Sequence, residues 1–77
     1  MKKLVIGHVN GKPLTIEYDD VYQLWQTGDA FDPPWRRYKT VSGCIRYIKQ
    51  CRSRRDNPTP VDWVTFPKGV NYLSLLQ

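Results

Sequence analysis

A chain of 77 residues and 9.1 kDa has room for one small domain, spanning 1–77. Its 40% hydrophobic and 13% aromatic content argues against a disordered chain, and apolar runs too short to cross a bilayer exclude a membrane helix. The net charge of +5 is unevenly spread, because Arg36, Arg37, Lys39, Arg46, Lys49, Arg52, Arg54 and Arg55 fall in one window without an acid, leaving a −3 balance elsewhere.

Leu4 to Tyr18 reads as a β-hairpin, since two apolar runs flank Asn10-Gly11, the dipeptide that favours a tight type I′ turn. That turn pairs Val9 with Lys12, Gly7 with Leu14 and Val5 with Ile16. Leu14, Ile16 and Tyr18 then share a face with Val5 and Val9, while His8, Thr15 and Glu17 point away. Leu4 and Ile6 fall on that second face, so another element is expected to cover part of it. Pro13 lacks a donor and suggests that the second strand lies at an edge.

Val21 to Thr27 is expected to form a short helix, with Asp20 as cap, Gln23 completing a capping box and Gly28 as terminator. Val21, Leu24 and Trp25 would form its apolar face. The prolines of Asp32-Pro33-Pro34-Trp35 imply a loop. A longer helix follows: Thr40 is a cap, and Val41, Cys44, Ile45, Ile48 and Cys51 recur at helical spacing to about Arg54. Arg46, Gln50 and Ser53 lie opposite this stripe, Lys49 and Arg54 flank the polar arc, and Arg52 sits near the buried edge. Gly43 is a weak helix former in the first turn and is read as incidental, with close approach of another group to the helix start as the alternative. Beyond the breaker Asp56–Pro60, Val61 to Phe66 reads as a strand, and Val70 to Leu76 as a strand or a short helix. The expected fold is α+β: an antiparallel sheet of three or four strands with a short and a longer helix on one face, in the order ββ-α-α-ββ.

Chemistry-bearing residues are few. Cys44 and Cys51, seven apart on one helix, lie roughly 10.5 Å apart at 1.5 Å per residue, too far for a disulfide. Both fall on the apolar stripe and read as reduced structural thiols of a cytoplasmic protein. The start of the chain, Lys2-Lys3-Leu4-Val5-Ile6, is too brief an apolar stretch for a signal peptide. Two Cys and His8 do not make a zinc site, and His8 faces away from both thiols, so no nucleophile–base pair is expected. Glu17, Asp19, Asp20, Asp29 and Asp32 lack the usual spacing of a magnesium nuclease, and Asp20 is needed as a cap. No enzyme, metal or cofactor is expected.

The basic window interleaves Trp35, Tyr38 and Tyr47 with its charges. Arginine forks engage phosphates bidentately, and aromatic rings stack on unpaired bases. The six arginines outnumber the two lysines there, which favours a contact surface over a merely solubilising one. The expected function is binding of nucleic acid or a nucleoprotein complex with little sequence preference, through Trp35, Arg36, Arg37, Lys39, Arg46, Lys49, Arg52, Arg54 and Arg55. The alternative is a protein–protein inhibitor or adaptor with an acidic partner, of the kind that phages direct against host defence or transcription complexes, anti-CRISPR proteins included. That analogy rests on size and missing motifs alone. Strand edges near Pro13 or the C-terminus also leave pairing into a homodimer open.

Overall fold

The computed structural model describes residues 2–27 and 36–76. Trp35, Asp29 and Asp32 lie outside the described residues. Strands β1 (Lys2–Val9) and β2 (Lys12–Asp19) form the expected hairpin. Asn10 and Gly11 both take positive φ, 51° and 79°, as a type I′ turn requires. β3 (Leu24–Gln26), β4 (Arg37–Tyr38) and β5 (Asp62–Trp63) complete a five-stranded antiparallel sheet in the order β4-β3-β2-β1-β5. One helix, α1 (Val41–Ser53), connects β4 to β5.

The hairpin register differs from expectation at one point. Val9 pairs with Lys12 and Gly7 with Leu14 as expected, but a bulge between Val5 and Gly7 shifts the rest, so that Ile16 faces Leu4 and Val5 faces Thr15. The extra residue moves Leu4 and Ile6 onto the core face with Leu14 and Ile16, and leaves Val5 half-buried. One irregularity thereby places every large aliphatic side chain of the hairpin except Val5 in the core.

The expected helix over Val21–Thr27 is absent. Asp19, not Asp20, supplies the capping oxygen: its Oδ1 accepts from the amides of Val21 and Tyr22 at 3.0 and 3.3 Å. These bonds close a turn instead of opening a helix. Gln23 takes φ 56°, and the chain reverses so that Leu24 pairs with Asp19 and Trp25 with Tyr18. Two helical turns could not outweigh this pairing on an existing sheet. Val21 is accordingly 79% exposed and Tyr22 64% exposed, while Trp25 is buried with its ring 4.8 Å from that of Tyr18. Among the described residues the order is thus ββββ-α-β rather than ββ-α-α-ββ, and the sheet has one strand more than the upper expectation. The strand expected over Val61–Phe66 is confined to Asp62–Trp63, extended by a hydrogen bond from the Val64 amide to the Ile6 carbonyl at 3.0 Å. Of the two readings left open for Val70–Leu76, the helical one is closer: Tyr72–Leu75 is a 3-10 turn, started by Asn71, whose side chain accepts from the Leu73 amide.

Val41, Cys44 and Ile48 of α1 complete the buried cluster of Leu4, Ile6, Val9, Leu14, Ile16 and Trp25. Each large aliphatic group withdrawn from water here contributes about 1.5–3 kcal/mol. Gly7 lets β5 approach, because a Cβ there would lie 2.9 Å from the Asp62 carbonyl oxygen. Pro13 tells only part of its strand's position. β2 is internal, but among the described residues β3 pairs with it only at Glu17 to Asp19, so the end carrying Pro13 has a partner on one side. β5 likewise pairs with β1 only at Gly7 and His8. No helix among the described residues is long and apolar enough to cross a membrane.

Candidate basic interface

Helix α1 divides by burial along its length. Thr40 caps it as expected, its Oγ1 accepting from the Gly43 amide at 3.1 Å. Gly43 is where Tyr38 lies: a Cβ at this position would stand 3.1 Å from the Tyr38 ring. Opposite the buried stripe, Arg46, Lys49 and Gln50 are exposed and, with Ser42 and Ile45, border a shallow groove of about 390 Å³.

Several of the basic residues rest on aromatic rings. The Arg36 guanidinium lies 5.5 Å from the centre of the Tyr47 ring, which also lies beside Tyr38. A hydrogen bond to Tyr47 raises the Arg36 pKa above its ordinary value. Tyr47 is itself held above its usual range by a hydrogen bond with Cys51, while Arg36 pulls it the other way. Arg36, from the approach to β4, is therefore tied to the Tyr47 flank of α1. Lys49 places its ammonium 5.0 Å from the centre of the Trp63 ring. Such contacts orient a cation without neutralising it.

Not all of the basic window joins this surface. Arg37 pairs with Gln26, which pairs with Glu17, which pairs with Lys3, so these four share the sheet face away from α1. Its guanidinium sits 5.5 Å from the Tyr22 ring in the β2–β3 turn. Arg52 is only 6% exposed, and its Nη2 donates to the Thr59 carbonyl at 3.2 Å, fastening the segment after α1 to the helix. It packs as a structural residue, in keeping with its position at the edge of the apolar stripe. Lys39, Arg54 and Arg55 are exposed at the two ends of α1.

The thiols remain unlinked. Cys44 is fully buried, and burial pushes its pKa up to about 12, whereas Cys51 is half-buried beside Tyr47. Among the described residues no three His, Cys, Asp or Glu side chains gather as metal ligands. Trp63 is the aromatic that sequence reasoning passed over as a strand residue; its meeting with Lys49 is a tertiary contact without a local signal. At the base of residues 28–35, Thr27 and Arg36 hold each other: the Thr27 amide donates to the Arg36 carbonyl, and Thr27 Oγ1 accepts from the Arg36 amide, both at 2.9 Å.

Fold and surface together define a small α+β domain with a basic helix face. No family model, curated protein or solved structure matches the chain.

Proposed function

We propose that this is a non-enzymatic protein of the cytoplasm that binds nucleic acid, or the nucleic acid of a nucleoprotein complex, through the outer face and ends of α1. The observation that carries this reading is that Arg46 and Lys49 stand together on the exposed outer face of α1, with Arg36 on the Tyr47 flank of the same helix and Arg54 and Arg55 at its end, all within one window free of acids. Lys39 extends the same surface at the helix start. Arg37 would contact a partner only from the opposite sheet face, and Arg52 supports the surface from beneath. Exposed cations on a regular helix track phosphates, and among the described residues no arrangement for reading base edges accompanies them, so weak sequence preference is expected. Two unpaired thiols suit a reducing compartment.

Fluorescence anisotropy with labelled oligonucleotides at several salt concentrations tests this. If Arg36, Arg46, Lys49, Arg54 and Arg55 all reach phosphates, log affinity for duplex falls with log salt at a slope of about −3 to −5. Absence of binding at low salt would reject the proposal.

A second reading, an inhibitor or adaptor that docks on an acidic protein, is favoured by a different region. Val21 and Tyr22 project at the β2–β3 turn, with Arg37 on the Tyr22 ring. Asp20, next in sequence to Val21, lines with Lys2, Tyr18, Leu73 and Leu76 a groove of about 600 Å³. An exposed tyrosine with an arginine is typical of binding hot spots. Under this reading Tyr22→Ala abolishes capture of the partner, and charge reversal on α1 has little effect.

A further inference from the structure

Between the C-terminal half of α1 and the segment leading into β5 lies a cleft of about 190 Å³, bordered by Lys49, Arg52, Pro58, Thr59, Pro60 and Trp63. We infer that this cleft takes one unpaired base of a single-stranded nucleic acid, stacked on Trp63, with Lys49 moving from the ring to the adjoining phosphate. The inference rests on the basic-surface reading above and narrows its ligand to single strands.

Size is the first argument. The cleft is smaller than the roughly 300 Å³ at which pockets for drug-sized ligands begin, so it suits one planar group and not a folded ligand. Its walls are firm: Pro58 and Pro60 restrict the backbone, and Arg52 anchors Thr59 to the helix. Trp63 is half-buried, held at its backbone by pairing with Gly7, and so offers a ring that need not be ordered on binding.

Charge is the second. Lys49 is exposed, and its ammonium already rests over the ring at 5.0 Å. A base entering from solvent displaces this mobile cation, which keeps a favourable partner by turning to the phosphate of the same nucleotide. The only carboxylate on β5, Asp62, pairs with His8 while Trp63 pairs with Gly7, and alternation directs it to the other face of the sheet. The exposed Asp56 follows Arg55, between the end of α1 and the Pro58–Pro60 wall, so the phosphate path from the cleft leads along the outer face of α1 to Arg46. In a duplex the bases are already stacked and cannot reach Trp63, so this cleft separates single strands from double.

The test uses three labelled probes of one length: oligothymidylate, a duplex, and a strand whose bases are replaced by abasic sites. Anisotropy is measured with the whole chain, with Trp63→Leu and with Trp63→Phe, each checked for folding by circular dichroism. The unmodified protein is expected to bind oligothymidylate about five-fold or more tighter than the abasic strand. Trp63→Leu removes that advantage and leaves duplex and abasic affinities within about two-fold, while Trp63→Phe keeps most of it. Equal affinity for the abasic strand and oligothymidylate overturns the inference even if Trp63→Leu fails to fold. So does a Trp63→Leu loss that is uniform across the three probes. Salt-sensitive binding of all three, indifferent to bases, leaves the basic surface standing and removes the cleft. If none of the probes binds at low salt, both readings fall.

Discussion

The two sides of α1 are built from the same thirteen residues and serve opposite ends. The inner side, Val41, Cys44 and Ile48, is fully packed against the sheet and holds the domain together. The outer side, Arg46, Lys49 and Gln50, has no part in the core and is available for a partner. On the proposed function, a single helix carries both stability and recognition in this small domain. The difference implies that substitutions sort by helical phase alone: stability follows one side, affinity the other.

The largest effect should come from Ile48→Ala. It removes a completely buried side chain and is expected to cost about 2–5 kcal/mol, seen as a lower urea midpoint, with the oligonucleotide affinity of the folded fraction unchanged. A mirror result is expected from the double change Arg46→Glu and Lys49→Glu. Oligonucleotide affinity should fall by about ten-fold or more at low salt with a shallower salt slope, while the urea midpoint moves by no more than about 0.5 kcal/mol. A large loss of stability in that variant would break the division between the sides. Thr40→Ala tests the helix start. Loss of its bond to the Gly43 amide should cost about 1 kcal/mol by urea titration.

A further effect concerns pH and the inner side only. The Cys44 thiol is raised from 9.0 to about 12 by burial, so the unfolded chain releases this proton first. The folded state then binds more protons than the unfolded one, and stability falls as pH rises from about 9 towards 12. The contribution is fully present below that window. Urea midpoints measured across it should fall less steeply for Cys44→Val than for the unmodified protein, and equal slopes would count against a buried, protonated thiol.

What could be read in the sequence was what depends on near neighbours. Asn10-Gly11 specifies its own turn, and the 3.6-residue recurrence from Val41 to Cys51 specifies α1 with its polar side. The same recurrence places Arg46 opposite the apolar stripe and Lys49 on the flank of the polar arc. Arg52 fell at the boundary of that pattern, and only its bond to Thr59 fixed it beneath the surface. Pairing energy decided the region from Asp19 to Gln26, where a three-residue strand on an existing hairpin displaced a locally plausible helix. The bulge at Ile6 leaves a trace in the sequence, since an unbroken register puts Leu4 and Ile6 on the outward face; the register shift brings both into the core. Trp63 beside Lys49 joins residues fourteen positions apart and leaves no trace of that kind.

The limited pairing of the sheet's borders has a consequence for the molecule in a crowded solution. β4 and β5 are two residues each, too short to template an incoming strand. Among the described residues, the longer borders they leave uncovered begin with Lys2-Lys3 on β1 and Lys12-Pro13 on β2. Two copies approaching along β1 bring like charges together, and along β2 they meet a missing donor. These features oppose extension of the sheet along β1 and β2, and concentrating the protein should not seed fibres along those edges.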